Sequence, residues 1–595
     1  MKLLHPLVSA ACLTGFAAIA CAATPLVNVV TEQAPIVFSV QDVPGLMKNW
    51  EKGPLMATWG DSQMQKFLEP LRQNSDFAEF EEKFKAETGL TPSEIVDLIQ
   101  GDALIAVTNL NFSVGDKAPP DFPILIAVEV RDNAEKVEKI LLDQQAKHTE
   151  NSSYTTEDFA GSTIHGRTST EEGAEKFFWT VSDGVFAFSP SKTELLTLVD
   201  ALKKGGVDNA FGKGVRFASM SKDGATTQVR FVMNFTTIIP WAQQQIAEKT
   251  AGQQPNAFFN PATIIPALGL DAWRDAYWGI DFADAQAAIS GGLTYSEARG
   301  LTKMMAYREG LPKALPPVPV SSLTATAAHF SIRDMYAALE EMIGAYNPGV
   351  LGMGQMYLQQ FNQQLGIDIK RDLIGSIGAE FVSGYSRRPG STGAVSVEQL
   401  DQYFAVSLDN AKTFNTAIDA LLKSAGPSVE KMIQKRDYLG YSLNTIPTPG
   451  DPDQPGKSVS YVVAKNYFMI SLGSPAAIES ALQTLAGKQP AYWERKEVKQ
   501  ALSQLPANAC TFSYQDTAAM LSAVCRTMAD LAQKTQAARA NAEEGEGTAK
   551  KETVPLDPTA APDAATLAKY WSDSSGYGFR DQNGFYFKSV LPYKK

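Results

Sequence analysis

An internal duplication is the feature that most constrains how this chain folds. Residues 37–42 (VFSVQD) resemble residues 329–334 (HFSIRD), and the run that begins at Gly161 resembles the run that begins at Gly440. The offset is 292 residues for the first pair and 279 for the second, so it stays near 280 and varies as small loop insertions and deletions would cause. A length of 595 residues alone suggests about four domains. The recurrence instead predicts two tandem homologous repeats.

Each repeat combines strand-like and helix-like segments. Asp183-Gly184 and Lys465-Asn466 each lie between two apolar β-rich runs, a pattern typical of a β-hairpin. A helix is predicted to follow each hairpin, over about 192–203 and 476–486. The fold class is therefore predicted to be α+β, with each repeat a largely antiparallel sheet whose helices pack on one face.

Composition changes along the chain predict the domain boundaries. The first repeat covers residues 23–310, and a Pro-rich, extended linker covers 311–321. The second repeat covers 322–595. It contains a low-complexity insertion at about 537–564, rich in Ala, Glu, Lys and Pro, which is predicted to be a solvated surface loop.

The N-terminal segment is predicted to be a targeting signal. Lys2, an apolar stretch and a small-residue cleavage region follow one another in residues 1–22, the order of a secretory signal peptide with cleavage after Ala22. The residues before Cys21 also resemble a degenerate lipoprotein box, so lipidation of Cys21 and an outer-membrane lipoprotein remain an alternative to a soluble exported protein. Either alternative places the chain in the periplasm or cell envelope.

Export changes the interpretation of the remaining cysteines. Cys510 and Cys525 form an even pair in an oxidising compartment, where a disulfide would join a strand to the helix that follows it. Two separate buried thiols are the other interpretation, because spacing in sequence does not establish spatial proximity. The sequence leaves both open.

Charge and hydropathy exclude two classes of partner. Lys and Arg number 53 and Asp and Glu 65, giving a net charge of −12, so no basic surface is expected to bind nucleic acid. Beyond the signal, no apolar run approaches the roughly 18 residues that a transmembrane helix needs. The predicted partner is an unidentified envelope protein or a glycan, with a lipid anchor on Cys21 as the alternative attachment.

The layout resembles an uncharacterised family of exported bacterial envelope proteins, known only as a domain of unknown function. The likeness is carried by residues 38–42, by the segment 89–101, by Gly161 and by the Asp183-Gly184 turn. The resemblance implies a signal peptide and α+β repeats, and it implies no catalytic residue.

Ser189 and Lys192 are the one match to a catalytic motif. They form S-x-x-K, in which the lysine of penicillin-binding proteins activates the serine. The companion K-T-G signature is absent from the sequence, and the parallel site at Ser471 has no lysine. A serine that ends a strand and caps the following helix is the other interpretation.

Histidines and aromatics complete the candidates. His148, His165 and His329 are far apart and lack metal-ligand spacing, so no metal and no cofactor is predicted. Tyr277-Trp278 recurs loosely as Tyr570-Trp571, which could form a sugar-stacking surface or simply pack in the core. We therefore expect a non-enzymatic exported scaffold. A glycan-binding protein is the first alternative, and a serine hydrolase using Ser189 and Lys192 is the second.

Overall fold

The structure is a computed structural model of the whole chain. It forms two compact units, called unit 1 and unit 2. Unit 1 comprises Met1–Met56, Arg72–Gln253 and Trp273–Thr294, and unit 2 comprises Ala57–Leu71, Gln254–Ala272 and Tyr295–Lys595. The residues that the structure describes are 24–72, 82–86, 89–112, 122–147, 152–169, 176–220, 227–251, 260–283, 285–391, 395–448, 458–542 and 556–594.

The strands of the described residues are numbered in chain order. They are β1 Ile36–Val40, β2 Ala103–Val107, β3 Ile124–Glu129, β4 Ser152–Phe159, β5 Ser162–Ser169, β6 Lys176–Ser182, β7 Val185–Ser189, β8 Val229–Asn234, β9 Trp273–Ala283, β10 Gln286–Tyr295, β11 Ser322–His329, β12 Ile377–Arg387, β13 Leu400–Leu408, β14 Gln434–Tyr438, β15 Tyr441–Pro447, β16 Ser458–Ala464, β17 Tyr467–Gly473, β18 Ala509–Gln515, β19 Ser574–Asp581 and β20 Gly584–Pro592.

The α-helices are numbered in the same way. They are α1 Val43–Lys52, α2 Pro54–Gly60, α3 Ser62–Arg72, α4 Pro92–Val96, α5 Ala134–Lys147, α6 Lys192–Lys204, α7 Val215–Met220, α8 Phe235–Thr250, α9 Pro261–Leu268, α10 Leu301–Met304, α11 Ile332–Tyr346, α12 Pro348–Leu365, α13 Ala411–Ser424, α14 Pro427–Met432, α15 Ala476–Leu485, α16 Lys496–Ser503, α17 Thr517–Ala542 and α18 Ala564–Leu567. Among the described residues, no helix is both long and apolar enough to cross a bilayer.

The two units have the same strand order. In unit 1 the order is β10-β9-β8-β1-β2-β3-β7-β6-β5-β4. In unit 2 it is β20-β19-β18-β11-β12-β13-β17-β16-β15-β14. Every strand pair whose register is given is antiparallel. The strand numbers of unit 2 exceed those of their counterparts in unit 1 by ten, so that β1 corresponds to β11. The predicted α+β class with antiparallel pairing is confirmed.

Helices cover both faces of the sheet in unit 1, not one face as predicted. Leu125 and Ala127 of β3 share one core cluster with Leu198 of α6. The alternating residue Ile126 packs against a second cluster, on the opposite face, that contains Val137 of α5. Residues 124–128 are a continuous apolar run, and such a run is typical of a strand that is buried on both sides.

Unit 2 repeats this layering. Tyr403 of β13 is fully buried in a cluster with Ile478 and Leu482 of α15. On the other side, Phe414 of α13 contacts Phe468 of β17, with ring centroids 5.1 Å apart. The helices α6 and α15 begin at the predicted residues and end within one residue of the predicted limits.

The hairpin turns also form as predicted. Asp183 and Gly184 both have positive φ, of 51° and 75°, and join β6 to β7. Helix α13 is capped by Asn410, whose side chain accepts a hydrogen bond from the backbone amide of Thr413. The Asp409 carboxylate accepts from Arg333 at 2.8 Å.

The Pro-rich segment 311–321 is packed onto unit 2. Val318 is fully buried in the unit 2 core, the Pro316 carbonyl accepts from the Trp493 indole at 2.8 Å, and the Pro317 carbonyl accepts from the Tyr403 hydroxyl at 2.9 Å. Proline leaves its carbonyl free to accept, so a Pro-rich segment can bind a polar edge of a core while staying extended. The segment belongs to the fold of unit 2.

Part of the first sequence half lies in unit 2. Phe67 of α3 packs in a cluster with Leu567 and Trp571, and the Trp571 indole donates to the Thr58 hydroxyl at 2.8 Å. The predicted insertion at 537–564 is ordered at both ends, by α17 and by α18, while residues 543–555 lie outside the described residues.

Candidate functional site

Ser189 is a structural serine at the end of β7. It is fully buried, its hydroxyl donates to the Ile124 carbonyl at 2.7 Å, and it accepts from the Ser191 backbone amide at 3.0 Å. These two bonds tie the strand end to its neighbour β3 and to the first turn before α6. A hydroxyl that is buried and used in this way has no access to a substrate.

Lys192 points to a different partner. Its ammonium group pairs with the Glu157 carboxylate at 2.6 Å. The S-x-x-K chemistry requires a hydrogen bond between the serine and its base, and the structure does not bring Ser189 and Lys192 together in this way. The structure therefore does not show the Ser189–Lys192 pair that the hydrolase alternative requires, because each residue is engaged with another partner.

His165 is buried among aromatic and acidic groups. Its ring stacks on that of Trp179 with centroids 3.9 Å apart and an interplanar angle of 11°. Its Nε2 lies 3.6 Å from a Glu138 oxygen of α5, and neither ring nitrogen makes a hydrogen bond. Burial lowers the pKa of His165, while the nearby Glu138 carboxylate acts in the opposite direction.

The other histidines do not join this site. His329 is bound through Nδ1 to the Gly310 carbonyl at 2.8 Å. His148 lies outside the described residues. Within the described residues, no group of three His, Cys, Asp or Glu side chains is arranged to hold a metal ion.

Cys510 and Cys525 are both free thiols. Cys510 is buried in β18, where its thiol contacts the Gly578 carbonyl at 3.4 Å, and burial raises its pKa to about 11. Cys525 packs half-buried against a separate cluster of α17 and α18, and burial raises its pKa also. The structure thus contains the two separate thiols and not the disulfide. The signal peptide and Cys21 lie outside the described residues.

The aromatic pairs do not form a repeated stacking surface. The Tyr570 hydroxyl donates to the Asp61 carboxylate at 2.9 Å, and Trp571 is buried. Trp278 is exposed at one edge, but its ring stacks on Phe231 with centroids 5.9 Å apart. The loose sequence recurrence therefore corresponds to two different environments.

A cluster of acidic groups lies where strands of unit 1 end. The Asp102 carboxylate accepts from the Asp42 backbone amide at 3.0 Å, and burial raises its pKa. The buried Glu129 carboxylate accepts from the Arg131 guanidinium. These contacts fix the turns at which Asp42 and Arg131 adopt positive φ, so we assign the cluster a structural role.

The helix α12 is the feature that motif searching missed. Asn347 caps its start by accepting from the backbone amides of Gly349 and Val350 at 2.9 and 3.2 Å, and Pro348 occupies the first turn. Gly366, with φ of 68°, ends it. None of the 18 residues between these signals is buried and none is charged.

One side of α12 rests on its own unit. The helix packs against α11, where a Cβ added to Gly344 would lie 2.9 Å from the Leu351 side chain. Leu351 and Leu358, seven residues apart, are half-buried on this side. Gly344 thus permits a close approach of the two helices.

The other side of α12 presents large apolar side chains to solvent. Their exposed fractions are 41% for Met353, 58% for Met356, 64% for Tyr357 and 41% for Phe361. Spacings of three, four and eight residues place them on one side of a helix. We call these four residues the α12 face. The absence of charge over 348–365, in a chain with 20% charged residues, is the sequence signal that could have identified it.

No known protein family matches this chain, no curated protein matches it, and no solved structure matches it.

Proposed function

We propose that this protein is an exported, non-enzymatic component of the cell envelope that acts as a structural or interaction scaffold built from two homologous repeats. The recurring sequence segments and the equal strand order of the two units support a common origin of the repeats. The proposed address rests on the signal-peptide pattern of residues 1–22.

The contrast between the catalytic candidates and the α12 face carries the proposal. Ser189 and Lys192 are engaged within unit 1 by Ile124 and Glu157. The side chains of the α12 face, by comparison, are large, apolar and 41–64% exposed. Contiguous exposed apolar side chains on a folded protein mark interaction surfaces more often than reaction centres.

Site-specific photo-crosslinking in the native envelope tests this proposal. A photoreactive side chain at Tyr357 is expected to give a discrete adduct, because this residue is central to the α12 face. The matched control is Val215 in α7, an apolar residue that is 82% exposed and is the only exposed large apolar residue of α7 among the residues whose burial the structure describes. If position 357 gives no more adduct than position 215, the interaction role is refuted.

A further inference from the structure

We infer that the α12 face binds the α12 face of a second copy of this chain, so that two antiparallel α12 helices pair about a two-fold axis. This inference rests on the proposed interaction role and names its partner. Three independent properties of residues 348–365 select a second copy over other occupants: charge, hydrogen-bonding groups and glycine placement.

Charge favours self-association at this helix. In a two-fold contact each side chain approaches the same patch on its mate, so any charge near the axis meets its like. The whole chain carries a net charge of −12, yet residues 348–365 contain no Asp, Glu, Lys or Arg. On α11, the carboxylates of Glu340 and Glu341 are paired with Lys370 and Lys303. No charge on α12 itself therefore opposes a contact between two copies.

The polar residues of α12 are self-complementary. The helix carries five exposed glutamines: Gln355, Gln359, Gln360, Gln363 and Gln364. A primary amide both donates and accepts hydrogen bonds, so a glutamine can pair with a glutamine. Lysine offers only donors and an ionised glutamate only acceptors, so neither can pair with its own copy. An amide rim is thus suited to a contact between identical surfaces.

Two glycines inside α12 have no role within the chain. A Cβ added at Gly352 or at Gly354 would have no atom within 4 Å. Glycine inside a helix is unfavourable relative to alanine, and neither residue has a positive φ that would require it. At 100° per residue the two glycines flank the α12 face on opposite sides, so the missing side chains leave both edges of the face open to a second helix. Methionines at 353 and 356 add adaptable apolar surface.

The geometry places Tyr357 near the axis. The helix is about 27 Å long, and residues 356 and 357 are its midpoint. An antiparallel pair centred there brings each Tyr357 next to that of its mate. A helix pair of this length gives a modest, concentration-dependent dimer.

A lipid surface and the other exposed apolar stripe fit less well. Attraction to anionic lipids requires Lys or Arg on the helix, and α12 has neither. On α17, Val524, Met528 and Leu531 are also exposed, but that helix carries ion pairs made by Arg526 and Lys534. The α17 stripe therefore provides a matched control.

Sedimentation equilibrium on the purified protein tests the inference. We expect the unmodified chain to dimerise as its concentration rises. The variants Tyr357→Glu and Tyr357→Lys should each associate roughly 100-fold or more weakly, because like charges meet at the axis. Their equimolar mixture should recover the dimer, because only a contact between identical surfaces brings residue 357 of one copy next to residue 357 of the other. Met528→Glu on α17 should dimerise like the unmodified chain.

Three results would overturn the inference: a chain that stays monomeric at all concentrations, a mixture that fails to recover the dimer, or binding of zwitterionic vesicles by a monomer that Tyr357→Glu abolishes. Retained circular dichroism of the variants shows that they fold. A crosslink from position 357 to a different protein would refute the second copy as partner and leave the interaction role intact, whereas the absence of any crosslink would refute both.

Discussion

Two helices of this protein show how differently an apolar helix can be used. The inner side of α6 contributes five buried residues to unit 1: Leu195, Leu198, Val199, Ala201 and Leu202. Its outer side carries Lys192, Glu194, Asp200, Lys203 and Lys204. Helix α12 is longer and comparably apolar, but it buries no residue and carries no charge.

The difference lies in how each helix treats its outward side. Charged side chains on α6 keep water at that side and make pairing with another surface costly. The outward side of α12 has only amides, glycines and large apolar groups, so nothing opposes its burial by another molecule. We conclude that the absence of charge is a better indication of an interaction surface here than the presence of apolar residues.

The largest change in the free energy of unfolding is expected for a buried residue of α6. Leu198→Ala in α6 should lower the free energy of unfolding by about 2–5 kcal/mol, because it removes a fully buried side chain and leaves a cavity. Met356→Ala in α12 should change it by less than about 0.5 kcal/mol. Urea-induced unfolding measures both. Equal losses would show that α12 is buried in the monomer.

A second test compares the two residues of the S-x-x-K motif. Ser189→Ala should cost about 1–3 kcal/mol of stability, because it leaves the Ile124 carbonyl and the Ser191 amide without their partner. Lys192→Ala, at the exposed start of α6, should cost less than about 1 kcal/mol. Thermal unfolding of the two variants distinguishes them. A Ser189→Ala variant with unchanged stability would contradict the structural assignment.

The third test measures stability as a function of pH at His165, whose ring lies beside Glu138 of α5. Burial lowers the pKa of His165 below its ordinary value of 6.5, so the folded state binds fewer protons than the unfolded state as pH falls through that value. Stability should therefore fall below about pH 6.5 and level off below the folded-state pKa. His165→Phe retains a ring against Trp179 and should reduce this loss. Urea unfolding of the unmodified chain and of His165→Phe at pH 7.5 and 5.5 measures this loss of stability. An equal loss in the two proteins would contradict the prediction.

The smallest effect has the opposite sign. Gly352→Ala should raise the stability of the monomer, by up to about 1 kcal/mol, because the added methyl group meets no atom and alanine favours the helix. The same change should weaken dimerisation if a second backbone approaches there. Thermal unfolding at low concentration measures the first effect, and sedimentation the second. A gain in stability without weaker association would show that Gly352 does not contribute to the pairing of two chains.

Local elements were predictable because their signals are local. The hairpin at Asp183-Gly184 depends on residues that accept positive φ, and the limits of α6 depend on spacing within one helix. The α+β class follows from these elements. The continuous apolar run in β3 also contained the information that both faces of this strand are covered.

The amino-acid sequence alone predicts the Asp183-Gly184 turn and the limits of α6 and α15, since each depends on neighbouring residues. The contact of Ser189 with Ile124, the packing of α3 in unit 2 beside Trp571 and the exposure of the α12 face emerge only from the folded chain. They do so because apolar burial is proportional to area and has no direction. An amphipathic pattern thus reveals that a face can be buried, but the partner of that face depends on residues far away along the chain.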